Sequence, residues 1–184
     1  MKNKKIKNRI LFFSFNYYPD QSAGAIRSEL LIKKINEIDK KCKIYIFCSR
    51  PVRYGQKKSS RYFKKKNNES NITLIRFWIP FLGQSPLQYS VSYAFFFVQA
   101  LLFSFFIRPN IIFATSAKLF TAFLAALSSK ITGAKLCVDV RDTFSDNFFY
   151  FYRWHKRIIF QSIILTIENI VLRCSNSINM VSIG

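Results

Sequence analysis

A phosphate-bearing ligand needs unpaired backbone N–H groups, small residues that let it approach them, and a cation. The stretch YPDQSAGAIR, residues 18–27, offers all three. Ser22, Ala23 and Gly24 supply the smallness, and Arg27 adds a guanidinium fork suited to an anion. An ordinary tight βα turn has the same composition, so the pattern alone admits both uses. It contains neither G-x-G-x-x-G nor the G-K-[ST] of a P-loop, and no cofactor is expected. The second candidate is DVRDTFSDNF, residues 139–148. Asp142 falls where a strand runs out into a loop, and a carboxylate there can act as a general base or orient sugar hydroxyls. The competing use of Asp142 is a helix or turn cap paired with Arg141.

Metal and nucleophile chemistry find less support. Asp139 and Asp142 are three apart and would point to opposite faces of a strand, so they cannot share one ion. Cys42, Cys48, Cys137 and Cys174 form no C-x-x-C pair, and no His/Cys cluster has zinc-ligand spacing. No metal is therefore expected, and the thiols are expected to be buried and reduced, as in a cytosolic protein. His155, the sole histidine, sits among bases in YRWHKR and reads as a surface residue. No G-x-S-x-G elbow is present for Ser/His/Asp hydrolysis.

Elements must carry these residues to a common place. Ile10 to Phe15 is an unbroken apolar run that reads as a strand buried on both faces. The segment after Gly24 reads as a helix with Ile26, Leu30, Leu31, Ile35 and Ile38 on its apolar face. KIYIFCS (43–49), NITLIRFW (71–78), IIFATS (111–116) and KLCVDVRD (135–142) read as further strands. Residues 50–71 read as a solvated loop carrying Lys57, Lys58, Lys64, Lys65 and Lys66. KLFTAFLAALSSKITG reads as a helix stopped by Gly133, and residues 154–173 as a last helix before SINMVS, a final strand. Alternating strands and helices predict an α/β fold: a Rossmann-like open parallel sheet with helices on both faces, in a single domain without internal repeats. In such sheets ligands bind beyond the carboxyl ends of the strands, where Gly24, Arg27 and Asp142 would meet.

Leu87 to Ile107 carries no charge over 21 residues and is long enough to span a bilayer. Ser90, Ser92, Gln99 and Ser104 interrupt it, which favours a helix packed on the sheet. A helix with one face at a membrane surface and a true span remain open.

RILFFSFNYYPDQSAGAIRSELLIKKI, PNIIFATSAKLFTAFLAALSSKITGAKLCVDVRDTFSDN and IENIVLRCSNSINMVS, in that order, resemble the amino-terminal half of family 4 (group 1) glycosyltransferases, in the bacterial surface-polysaccharide branch. The resemblance implies a GT-B architecture of two Rossmann-like domains with a cleft between them and no bound metal. It implies that residues 1–184 form the acceptor-side domain, with Ser22, Ala23 and Gly24 touching the phosphates of a nucleotide-sugar donor. It places Arg27, Arg141 and Asp142 on the cleft edge. Relatives carry two adjacent glycines in the first loop, where this chain has Ala23 before Gly24. The family's carboxyl-terminal donor-binding domain, with its glutamate pair, has no counterpart in this sequence, so the chain alone is expected to be incomplete as a transferase. It reads as a truncated product or one half of a split enzyme.

A formal charge of +20, from 29 Lys and Arg against 9 Asp and Glu, predicts anionic partners. An abundance of Lys, Asn, Ile and Phe also follows from adenine- and thymine-rich codons, which gives a compositional source for part of that charge. The expected partners are a nucleotide-sugar donor, a polyprenyl-linked sugar acceptor and an anionic membrane surface. The Lys57 to Lys66 segment would clamp that surface, each cation adding about 1 kcal/mol. The expected location is peripheral, at the inner face of the cytoplasmic membrane. A non-enzymatic basic protein at a membrane surface or on nucleic acid is the alternative. Nucleic acid is the weaker of those two, because most Phe lie in runs that read as core.

Overall fold

The computed structural model describes residues 8–20, 22–51, 64–66, 71–81, 85–115, 119–140 and 157–180, with the backbone alone at 64–66, 157–160 and 180. Strands β1 (Arg9–Phe13), β2 (Lys43–Ser49), β3 (Lys64–Lys66), β4 (Ile72–Phe77), β5 (Ile111–Thr115), β6 (Lys135–Val140) and β7 (Ser177–Met180) form one sheet in the order β3-β4-β2-β1-β5-β6-β7. Every pairing is parallel except that of β3, which runs antiparallel to β4 at the edge. This is a Rossmann-like α/β sheet, as the alternation of elements predicts. The Lys-rich segment departs from the expected solvated loop: Lys64–Lys66 pairs with Ile75, Leu74 and Thr73, because an edge strand can carry lysines that a central strand cannot. Lys57 and Lys58 lie outside the described residues.

Two cores flank the sheet. On one face Ile10, Phe12, Ile44, Ile46, Ile72 and Leu74 pack under helix α1 (Ala23–Ile38) through Ile32. Phe12 and Phe113 stack there at 4.8 Å. The other face holds Leu11, Phe13, Phe47, Phe77, Ile112, Leu136 and Val138 under α2 (Pro86–Ile107), α3 (Leu119–Thr132) and α4 (Arg157–Cys174). Central strands buried on both faces are why β1 and β2 read as continuous apolar runs.

The helices expose faces that periodicity alone misassigns. In α1 the buried residues are Ala25, Ser28 and Ile32, while Ile26, Leu30 and Ile38 are exposed. The cause is close approach. The Ser28 hydroxyl lies 3.1 Å from that of Ser14 and donates to the Gly24 carbonyl at 2.8 Å, contacts only small residues at the interface permit. In α2 the fully buried face is Ser92, Phe96, Ala100 and Ser104, while Leu87, Phe95, Val98, Leu102, Phe103, Phe105 and Phe106 are exposed. The helix is the crossover from β4 to β5, packed over β2 and β4. Gly133 ends α3 at φ +70°, the left-handed conformation expected of it. Arg108 ends α2 in the same region, at φ 48°, a position without glycine to announce it. All four cysteines are free, with Cys42 and Cys48 buried and Cys137 and Cys174 only partly so.

Candidate functional site

The sheet changes direction between β1 and β5. From β1 the chain moves out through β2 and β4, then returns via α2 to β5 and proceeds to β6 and β7. The carboxyl ends of β1 and β5 therefore diverge into a crevice, the usual ligand position of such sheets. Residues 14–20, Ser22 and the first turn of α1 lie at that end of the sheet.

Ser22 caps α1. Its hydroxyl accepts from the Ala25 N–H at 3.2 Å and its carbonyl from the Ile26 N–H at 3.0 Å. Ala23 and Gly24 follow in the first turn with backbone N–H groups that no described residue accepts, at the positive end of the helix. The Tyr18–Pro19 peptide bond in the preceding loop is cis. The loop is pinned to the strand ends: the Ser49 hydroxyl donates to the Phe15 carbonyl at 2.8 Å, and the Arg76 guanidinium donates to the carbonyls of Ser49, at 3.2 Å, and Tyr18.

Arg27 is committed on one side. Its Nε and Nη2 donate to the two oxygens of Asp139 at 2.8 and 2.9 Å, a bidentate pair that spans from α1 past β5 to β6. Asn179 of β7 adds a third hydrogen bond to Asp139 at 2.7 Å. Asp139 has no exposed surface and Arg27 retains 31% of its own. Asp139 raises the Arg27 pKa, first by hydrogen bonding and then by charge, with burial opposing. A carboxylate held this way is an orienting group and a poor base, whereas the remaining N–H groups of Arg27 are available to an anion. Thr115, in register with Asp139 on β5, is buried beside it on the same face by strand alternation.

The structure thus brings Ser22, Ala23, Gly24 and Arg27 to one edge of the sheet. Val140, the last residue of β6, lies on that edge, while Arg141, Asp142 and His155 fall outside the described residues. Reading the sequence did not single out Asp139, Asn179, Thr115, Asp20 or Arg76 as parts of this edge. Asp139 had a signal: a lone carboxylate inside the apolar strand KLCVDV must be paired when buried. Asp20 is buried in the loop after β1 and acts on Cys48, whose thiol burial pushes up to about 12, with Arg76 opposing and Asp20 adding. Among the described residues no cluster of three or more His, Cys, Asp or Glu side chains could hold a metal ion.

No family pattern matches the sequence, and no curated protein matches it. Solved structures with a similar chain path include Anabaena Alr3699/HepE in complex with UDP and glucose, at TM-score 0.48 and 13% identity over 94% of this chain and 37% of that one. The same protein in complex with UDP-glucose gives 0.44 and 10% over 97% and 44%. The chain spans less than half the length of either.

Proposed function

We propose that this chain is the acceptor-side, amino-terminal domain of a family 4 GT-B glycosyltransferase, moving a sugar from a nucleotide-sugar donor to a polyprenyl-linked acceptor in surface polysaccharide synthesis. The observation that carries the reading is the first turn of α1. The N–H groups of Ala23 and Gly24, which no described residue accepts, stand with Arg27 at the carboxyl edge of the sheet, where its direction changes. In the proposed reaction an acceptor hydroxyl attacks the anomeric carbon, the bond to the diphosphate breaks, and the N–H groups of residues 22–24 steady the charge left on the phosphates. Asp142 takes the hydroxyl proton, and Arg141 flanks it. A donor-binding domain, on this or a separate chain, completes the cleft, and no metal or cofactor takes part. The protein sits at the inner face of the cytoplasmic membrane, with Lys57, Lys58, Lys64, Lys65 and Lys66 toward the anionic surface.

Membranes from cells expressing the protein together with a donor-binding domain that completes the cleft, incubated with radiolabelled UDP-sugars, test the reading. Label should enter the solvent-extractable lipid and fall at least tenfold with Gly24→Val or Asp142→Asn. Label that is the same without the protein overturns it. The alternative, a non-enzymatic basic protein on nucleic acid, finds Phe12, Phe13, Phe47 and Phe96 fully buried and unable to stack on bases.

A further inference from the structure

Helix α2 is apolar on both of its faces, the one packed on the sheet and the one turned outward. Its face toward the sheet holds Phe96 and Ala100 between Ser92 and Ser104, and outward it carries Leu87, Ala94, Val98, Leu102, Phe105 and Phe106, all exposed, with the exposed polar Gln88 and Ser90 confined to its first turns. Leu102 is 59% exposed and Phe106 76%. The spacings of seven, four, four and three residues from Leu87 to Phe105 keep them on one stripe. No residue of the helix is charged. An exposed apolar stripe that runs the length of a 22-residue helix marks a contact with another body.

The helix's carboxyl end says which body. Arg108 caps it, and the Arg9 guanidinium donates to the Ile107 carbonyl at 2.9 Å. Lys130 and Lys135 are exposed at the adjoining end of α3 and start of β6. Among the described residues none of these four cations pairs with a carboxylate. An open cleft of about 800 Å³ joins the two chemistries, with Phe105 and Ile131 on its apolar walls and Arg108 and Lys135 on its polar ones. It lies at the amino-terminal edge of the sheet, away from the crevice. An apolar stripe rimmed by unpaired cations matches acyl chains beneath phosphate headgroups. A second copy fits less well, since it brings the same formal charge of +20.

We infer that α2 is a membrane-docking helix, lying flat on an anionic bilayer with its outward stripe at the headgroup–acyl boundary and Arg9, Arg108, Lys130 and Lys135 on lipid phosphates. This deepens the membrane half of the proposed function and stands apart from its sugar-transfer half. Because α2 runs antiparallel to the strands, this pose puts its amino end, and with it the crevice edge, beside the bilayer.

Flotation with vesicles of 30% phosphatidylglycerol in phosphatidylcholine, against phosphatidylcholine alone, tests the inference. The native protein should float with the anionic vesicles only and come off in molar salt. Val98→Gln/Leu102→Gln/Phe106→Gln should cut binding at least tenfold, and Arg108→Gln/Lys135→Gln by about fivefold per cation. The triple variant's substituted side chains are exposed, so its unfolding midpoint should match the native one. In a Trp154→Phe background, Trp78, whose ring lies 5.7 Å from that of Phe95, should be quenched by brominated lipid. Full binding by the triple variant overturns the inference. If neutralising Lys57, Lys58, Lys64, Lys65 and Lys66 abolishes binding that the triple variant keeps, the membrane reading survives and α2 is excluded. Failure of the native protein to bind anionic vesicles overturns both. Retention in membranes after alkaline carbonate, or a dimer abolished by the triple variant without vesicle binding, also overturns it.

Discussion

Asp139 has no exposed surface, and Arg27 and Asn179 are among the partners that hold its charge. Removing one partner of a buried pair costs about 3 kcal/mol or more, whereas replacing both by apolar groups is often neutral. Arg27→Met should therefore destabilise by about 3 kcal/mol in urea unfolding, with Arg27→Met/Asp139→Leu recovering most of the loss. Additive losses in the double variant would show that the pair is not the structural unit. Cys48 supplies a pH dependence. Its thiol is pushed up to about 12 in the folded chain, chiefly by burial, while an exposed thiol titrates near about 8.5. Between those values the unfolded chain has released the proton and the native one has not. Native stability from this group is thus fully present below about pH 8.5 and lost as pH rises, by up to about 1.4 kcal/mol per pH unit. Urea unfolding from pH 8 to 10.5 should show a shallower decline for Cys48→Ala than for the native chain.

Among the elements, α2 divides most clearly into a structural and a free face. Phe96 is fully buried and its ring meets those of Phe15, Tyr93 and Phe77. Phe96→Ala should cost about 3–5 kcal/mol. Phe106→Ser, on the outward face, should change stability by less than about 0.5 kcal/mol. Thermal or urea unfolding reads both, and equal losses would mean the outward face is covered in the native fold. At the end of α3, Gly133 has φ +70° and nothing within 4 Å of an added Cβ. Gly133→Ala should cost about 1 kcal/mol, all of it backbone strain and none of it collision.

For the whole molecule, the sheet sets the hierarchy of stability. β1 lies between two parallel neighbours under both cores, while β3 is a three-residue antiparallel edge strand. Hydrogen exchange should be slowest at Leu11–Phe13 and Ile44–Phe47, opening only with global unfolding, and orders of magnitude faster at Lys64–Lys66. Equal protection would contradict the edge position of β3. The same layout puts the candidate ligand edge at the carboxyl ends of the strands and the cationic cleft at their amino ends, so the proposed ligand binding and the proposed membrane docking draw on separate residues.

Sequence by itself determined the order and type of the elements apart from the edge strand at Lys64–Lys66, because apolar runs, helical spacing and a terminal glycine act within a few residues of one another. β2 at 43–49 and the stop at Gly133 follow from such local patterns. The partner of Arg27 is 112 residues away and the sheet face chosen by α1 and α2 depends on which neighbours come close, so only the tertiary structure decided these. Small residues, Ser28 in α1 and Ser92, Ala100 and Ser104 in α2, are buried because they allow close packing on the sheet. Hydrophobic periodicity points to the bulkier side chains instead, which is why it placed Ile26, Leu30 and Ile38 in the core when packing left them outside.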